Sequence, residues 1–285
     1  MSNLRDHLSS ATKDDVLPCA AGSISHTIIV SLTHRALASL KLTCATPTIA
    51  PAIGMTTCAT AGAVATCAAT LVRSNTFCSN EDLAIGAATS IAVFACTNGK
   101  FASLLPSNVA KPGAFAAKSL PASGPEYASD SEKKALISIY YRSGCHTCGT
   151  RSRSETVVGD HLPPNFVAYG GRKVSDNLQK LGGDARGVIG LIRRARARAM
   201  AASGPLESLS AFVPPPPQRF YPQCQSCSNI QASAVREKVT TAITHGVPRS
   251  WRVLASGAGS GFARAEQDTR SSASNKHSRA PLSAR

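Results

Sequence analysis

The sequence predicts an α+β protein in which a small zinc-stabilised module follows an Ala-rich helical hairpin, with disordered tails. Three observations lead to this prediction. Two Cys-x-x-Cys pairs, Cys145 with Cys148 and Cys224 with Cys227, offer four thiolates to one metal ion. Only 5% of the 285 residues are aromatic, so the chain is short of the large side chains that build a core. Two long stretches upstream of these cysteines carry no charge.

The uncharged stretches lie within residues 36–100, after a polar segment, 1–35, that carries no motif. No charged residue occurs between Lys41 and Arg73, or between Asp82 and Lys100. Small residues recur there at a spacing of four, which lets two helices approach closely in lipid. We therefore predict a helical hairpin that is embedded in a membrane. The alternative is a soluble or unfolded segment rich in Ala and Thr, because these residues insert poorly into a bilayer.

Basic residues flank the hairpin on both sides, whereas the loop between its helices is slightly acidic. By the positive-inside rule both ends of the hairpin lie in the cytosol. The flanking cations are Arg35, Lys41, Lys100, Lys111 and Lys118. The sequence thus predicts an intracellular, membrane-associated protein with a cytosolic zinc module.

The rest of the chain divides by composition. Residues 101–130 form a Pro/Ser/Ala-rich linker, 131–245 hold the cysteine motifs, and 246–285 are predicted to be a disordered basic tail. The net charge of +15 favours a polyanionic partner, either nucleic acid or an anionic membrane surface. Alternatively, this charge reflects only the composition of low-complexity segments. A protein partner is not indicated by any motif.

The ten cysteines form two groups. Six are scattered through the N-terminal third, and four form the two Cys-x-x-Cys pairs. The first 15 residues lack the apolar core of a signal peptide, which favours a reducing compartment and metal binding over a disulfide framework. Structural zinc is the predicted ligand of the four paired thiolates. Disulfides, or chance cysteines in a poor core, are the alternatives.

Short elements are predicted around the cysteines. Residues 135–141 indicate a short helix or strand, and residues 155–158 a strand that Gly159 ends. Asp160 and His161 follow, before Pro163 and Pro164. Neighbouring residues in a strand point to opposite sides, so we expect this acid and imidazole to converge in a turn. Downstream, a helix is predicted to begin near Ser226.

The order of these motifs resembles the HNH nuclease family. The resemblance rests on the first Cys-x-x-Cys, then Asp160-His161, then the second Cys-x-x-Cys and a polar residue on a helix. It implies a ββα-metal core of treble-clef type braced by a four-cysteine zinc. It also implies that His161 is the general base, that Asp160 binds a catalytic divalent metal such as Mg²⁺, and that Asn229, or else Ser228, completes the metal side.

The implied activity is metal-dependent endonucleolytic cleavage of nucleic acid. Phosphodiester cleavage needs a base that titrates near neutral pH and a cation that neutralises charge on the phosphate. The sequence departs from the family pattern because Ser228, not Asn, directly follows the second cysteine pair. The alternative is a non-enzymatic zinc module that binds nucleic acid or protein, with Asp160 and His161 in a structural surface turn.

A long insertion separates the two halves of the motif. Between His161 and Cys224 lie 62 residues, whereas a compact core favours a short connection. Residues 174–218 begin and end with codons compatible with a splice donor and acceptor, and we hypothesise that they derive from a retained intron. Their removal joins Lys173 to Arg219. The alternative is a genuine Arg-rich insertion that binds nucleic acid or acts as an import signal.

Overall fold

The computed structural model describes residues 13–122, 127–165, 218–237, 239, 241–245 and 251–261. The chain divides into two compact units. Residues 1–106 and 244–285 form one, which we call the helical unit, and residues 107–243 form the other, which we call the α+β unit. The predicted insertion, up to residue 217, lies outside the described residues, as do the residues after 261.

The described part of the helical unit contains four α-helices. These are α1 (Lys13–Ser39), α2 (Ile49–Ser74), α3 (Asn80–Cys96) and α6 (251–261), with a 3₁₀ helix at Phe101–Leu104. Helix α3 begins with a capping box, in which the Ser79 hydroxyl accepts from the Asp82 backbone N–H and the Asp82 carboxylate accepts from the Ser79 N–H. Helix α2 ends at Asn75, which has a left-handed backbone with φ of 53°.

Helices α2 and α3 coincide with the predicted hairpin, and small residues line the contact between them. Added side-chain atoms at Gly62 would lie 2.4 Å from Ser90 Cβ, and at Gly86 2.0 Å from Thr66 Oγ1. The two predicted series of small residues on α2 are buried: Ala61, Ala65 and Ala69, and Gly62, Thr66 and Thr70. This contact therefore depends on the absence of larger side chains.

Many large apolar side chains of α1 and α2 are exposed, and several polar side chains of the helical unit are buried, although an apolar cluster that includes Val30, Phe94 and Leu104 also lies inside it. On α1 and α2 the exposed apolar residues are Val16, Leu17, Ile24, Ile28, Leu32, Ile49, Met55, Val64, Leu71 and Val72. The buried polar residues include His26, whose Nε2 lies 2.9 Å from Ser90 Oγ, and Thr66. Two helices, Val16–Ser39 and Ile49–Ser74, are long and apolar enough to cross a membrane.

The α+β unit contains an antiparallel three-stranded sheet in the order β2 (Leu120–Pro121), β4 (Arg219–Cys224), β3 (Val157–Leu162). Strands β3 and β4 pair from Val157 with Cys224 to Leu162 with Arg219. A second pair joins β1 (Ser107–Asn108) to β5 (Ala242–Ile243). Helix α5 (Gln225–Arg236) follows β4 directly, which completes a ββα arrangement.

Helix α4 (Asp130–Ser143) covers one face of this sheet. Its first turn is held by a capping box between Ser129 and Glu132. Hydrogen bonds from the Ser129 side chain and backbone lower the pKa of the Glu132 carboxyl. Leu136, on the buried side of α4, packs with Ala128 and with Phe220 of β4. The segment predicted as a short helix or strand at 135–141 is therefore part of a helix.

Three predicted boundaries differ from the structure. Residues 13–35, expected to lie in a polar segment without a motif, belong to α1. Residues 107–122, expected in a linker, contribute β1 and β2 to the α+β unit. Residues 251–261, expected in a disordered tail, form α6, where Val253, Ser256 and Ser260 are buried.

Helix α3 also departs from the prediction that both helices of the hairpin cross a membrane. It has 17 residues, which is shorter than the roughly 20 residues of a typical spanning helix. Besides α2, helix α1 is long and apolar enough to cross a membrane.

Candidate metal centre and adjoining polar network

The four cysteines of the two Cys-x-x-Cys pairs meet at one point in the α+β unit. Cys145 and Cys148 lie in the loop after α4, Cys224 ends β4, and Cys227 lies in the first turn of α5. Their Sγ atoms all lie within 4.8 Å of one another. Tyr140 of α4 and Val157 of β3 pack against this group. Four cysteines this close together could hold a metal ion such as zinc.

The backbone around Cys145 and Cys148 adopts a tight turn that depends on two glycines. Gly144 and Gly149 have φ of +87° and +73°, values that favour glycine. The Gly149 N–H donates to the Cys145 carbonyl at 2.8 Å, and the Cys145 N–H donates to the Thr150 carbonyl at 2.8 Å. These bonds bring both thiols of the turn to the same side, as the sequence predicted.

One of the distances between sulfur atoms matches the value expected for tetrahedral zinc. A Zn–S bond of about 2.3 Å places two thiolates of a tetrahedron roughly 3.8 Å apart. The observed distance between the Sγ atoms of Cys148 and Cys224 is 3.8 Å. The four thiolates would hold the ion, whose contribution is structural because they complete a closed tetrahedral set.

The electrostatics of the four thiols also favour a cation. Burial opposes ionisation of Cys145, but hydrogen bonds from the other three thiols outweigh it and hold its pKa well below the usual value. Hydrogen bonds with Cys145, Cys148 and Cys224, together with burial, raise the pKa of Cys227. One thiolate thus suppresses ionisation of another, because like charges are close and poorly solvated. A bound divalent cation would attract the thiolates and so stabilise their ionised forms.

His146, between the two cysteines of the turn, connects the turn to its surroundings. Its backbone N–H donates to the Pro222 carbonyl of β4 at 2.9 Å, and its carbonyl accepts from the Phe115 N–H at 2.9 Å. Its ring Nδ1 accepts from the Gly113 N–H at 3.1 Å. In the neutral ring this assigns the proton to Nε2, which lies 3.2 Å from Asp160 Oδ2 and donates to it.

Asp160 is the centre of a polar network between the turn and α5. Besides His146, its two carboxylate oxygens accept from Gln231 Nε2 at 3.1 and 3.2 Å. Gln223 Nε2 in turn donates to Gln231 Oε1 at 2.8 Å and to Thr147 Oγ1 at 3.1 Å. This network braces the cysteine turn, β3, β4 and α5 against one another through side chains that are largely buried.

The structure places His161 on the other face of the sheet. Asp160 and His161 are consecutive residues within β3, and not in a turn as expected, so their side chains point to opposite sides. The His161 ring packs on Phe220 with ring centroids 4.4 Å apart. Asp160 instead lies opposite Tyr221, whose ring is near His146. The acid and the imidazole that the resemblance pairs are therefore separated by the strand.

Asn229, the third residue implied by the resemblance, does not join Asp160 either. It is exposed on α5, and its Oδ1 accepts from Gln225 Nε2 at 2.8 Å. Gln231 contacts Asp160 in its place. A sequence signal for Gln231 existed, because it lies four residues after Cys227 and so on the same face of a helix. His146, Thr147 and Gln223 carried no comparable signal beyond their closeness to cysteines.

The chemistry available at this centre is metal binding by four thiolates and hydrogen bonding that holds the surrounding elements. Both ring nitrogens of His146 and both oxygens of Asp160 are engaged within the protein. Comparisons of the chain with protein-family models, curated proteins and solved structures found no match in any of the three.

Proposed function

We propose that this chain is a membrane-anchored zinc module that acts by binding a partner and not by catalysis. One observation carries the proposal: the polar residues beside the four cysteines form a closed network in which Asp160 accepts hydrogen bonds from His146 and Gln231. Such a network holds the module together. The metal centre would then have a structural role and would support a surface that recognises another molecule.

The nuclease hypothesis has less geometric support. A general base must reach the water that attacks the phosphate, while the catalytic metal sits on the same side. His161 packs against Phe220 on one face of the sheet, and Asp160 contacts His146 on the other. Cleavage by the pair would require the end of β3 to rearrange.

Membrane anchoring is supported by the distribution of side chains in the helical unit. Soluble proteins bury their large apolar residues, whereas here Ile24, Ile28 and Leu32 of α1 are exposed and His26 is buried. Glycines and small polar residues line the contact of α2 with α3, as in helices that pack within lipid. Exposed apolar side chains together with buried polar ones such as His26 suit a bilayer.

The partner of the module is inferred from charge. Because the net charge is +15, we expect an anionic partner. Nucleic acid is the first candidate, and a protein is the alternative. Electrostatic binding of this kind weakens steeply as salt concentration rises.

A plasmid-nicking assay on the purified full chain tests the absence of catalysis. We expect no cleavage above background with Mg²⁺, Mn²⁺ or Zn²⁺, and no difference among wild type, His161→Ala and Asp160→Asn. The control is zinc content, which must equal one ion per chain in each protein assayed. Cleavage by the wild type that both substitutions abolish, with zinc retained, would overturn the proposal in favour of a nuclease.

Alkaline carbonate extraction tests the anchor. We expect the full chain to stay in the membrane pellet, because α1 and α2 present apolar surfaces to lipid. A chain lacking residues 13–74 serves as the comparison and should move to the supernatant. Release of the full chain into the supernatant would show that the helical unit is only peripherally attached.

A further inference from the structure

A groove on the α+β unit has a strongly positive rim. It lies between α4 and the segment that leads into β2, and it encloses about 640 Å³. Lys118, Arg142 and Arg219 line it, and none of the described residues that line it carries a carboxylate. All three cations are exposed to solvent. The groove therefore attracts anions.

The two guanidinium groups are held in place by serines. Arg219 Nε donates to Ser119 Oγ at 2.6 Å, and its Nη2 donates to the Ser119 carbonyl at 3.3 Å. Arg142 Nη2 donates to Ser138 Oγ at 3.0 Å. Because a guanidinium has five N–H donors, each arginine keeps donors for a ligand while its orientation is restricted. Arginine held in this way suits phosphate, whose oxygens accept two parallel hydrogen bonds.

The floor of the groove is apolar, and no aromatic ring occurs among the described residues that line it. Leu120, Ala135 and Ile139 contribute to it. Single-stranded nucleic acid is usually bound by stacking of its bases on aromatic side chains, which this floor lacks. A phosphate joined to an aliphatic group fits better, because the phosphate meets the cations and the aliphatic part covers the floor.

We propose that this groove binds the headgroup of an acidic phospholipid. The phosphate would lie between Arg142, Arg219 and Lys118, and the glycerol and first acyl carbons would lie on Leu120 and Ile139. A chain anchored in a membrane meets such headgroups at high local concentration. In this respect the inference rests on the proposed anchoring, although binding of a water-soluble lipid by the groove does not require insertion.

Native mass spectrometry of the full chain in a neutral detergent tests the inference. The probes are short-chain phosphatidylglycerol, short-chain phosphatidylcholine, inorganic phosphate and a single-stranded oligonucleotide. We expect bound phosphatidylglycerol, at most weak adducts with the other three, and an affinity about tenfold lower in Arg142→Gln/Arg219→Gln. The matched control, Arg151→Gln/Arg153→Gln, removes the same charge from exposed positions outside the groove and should bind like wild type.

A second variant guards against misfolding of the first, because Arg219 begins β4. Lys118→Gln/Arg142→Gln leaves the strand intact and should show the same loss of lipid, with zinc content unchanged. The inference would be overturned if the control pair lost as much lipid as the groove variants, or if neither groove variant lost lipid. Binding of inorganic phosphate as strong as that of the lipid would also overturn it. Oligonucleotide that displaces the lipid in a groove-dependent way would instead assign the groove to nucleic acid. Release of the full chain by carbonate, with lipid still bound by the groove, would count against anchoring alone.

Discussion

At the scale of single residues, Asp160 is the most informative position in the α+β unit. Its carboxylate joins His146 in the cysteine turn to Gln231 on α5. These partners are mostly buried, so their N–H groups cannot turn to solvent if the carboxylate is removed. An unsatisfied buried donor costs about 1–3 kcal/mol.

We predict that Asp160→Ala lowers the free energy of unfolding by about 1–3 kcal/mol, because His146 and Gln231 lose their acceptor. Zinc content should be unchanged, since no thiolate is removed. Denaturant unfolding followed by circular dichroism measures the difference. The control is Asn229→Ala, an exposed position on the same helix, which should change stability by less than about 0.5 kcal/mol. An equal loss of stability in the two variants would show that the hydrogen bonds of Asp160 add no stability beyond that of an exposed position.

At the scale of elements, the close contact between α2 and α3 depends on glycine. A Cβ at Gly62 would lie 2.4 Å from Ser90 Cβ and 2.5 Å from the Gly86 carbonyl. Backbone cannot move aside as easily as the end of a flexible side chain, so a larger residue must push the helices apart. Interhelical contact by small residues is also what stabilises helices within lipid, where there is no hydrophobic force to join them.

Gly62→Leu is therefore expected to destabilise the helical unit by about 1–3 kcal/mol or more, the usual cost of overpacking. Thermal unfolding of the full chain in detergent provides the measurement. Thr60→Leu adds a similar side chain on the exposed side of the same helix, and we expect it to leave the midpoint unchanged. A lower unfolding midpoint for Thr60→Leu, with no change for Gly62→Leu, would show that Thr60 and not Gly62 faces the neighbouring helix.

At the scale of the whole molecule, two units with different sources of stability occur in one chain. The α+β unit has small apolar clusters, one of which is made mainly of cysteines around Tyr140. The helical unit is held by contacts among small residues, by an apolar cluster around Phe94, by a disulfide between Cys67 and Cys78, and by buried hydrogen bonds such as that between His26 and Ser90. The four cysteines of the α+β unit could hold a metal ion, and no second group of this kind occurs among the described residues.

Removal of zinc should thus unfold the α+β unit selectively. We expect about one zinc per chain, loss of amide protection in the described residues of the α+β unit (107–122, 127–165 and 218–237) after chelation, and retained protection in α1–α3, because metal binding and folding are coupled in so small a core. Zinc should also dissociate as pH falls, since protons compete for the thiolates. Hydrogen exchange with and without chelator measures this. Cys145→Ala should reproduce chelation, and protection that survives in both cases would contradict the prediction.

Much of this architecture could be predicted from local patterns. The spacing of Cys145, Cys148, Cys224 and Cys227 sufficed to predict a common metal centre, because a turn of two residues between cysteines directs both thiols the same way. The uncharged stretches predicted α2 and α3, and the small residues predicted their contact. These features depend on neighbours in sequence or on a strict periodicity, both of which are visible in a single chain.

Only the tertiary structure decided what lies beside the metal centre. Pairing of β3 with β4 extends to Leu162 with Arg219, so Asp160 and His161 are held in a strand and their side chains diverge. Gln231, not Asn229, then meets Asp160, because Gln231 lies on the buried side of α5 together with Cys227 whereas Asn229 is exposed. Strand extent and helix rotation depend on partners distant in sequence, which local composition does not encode.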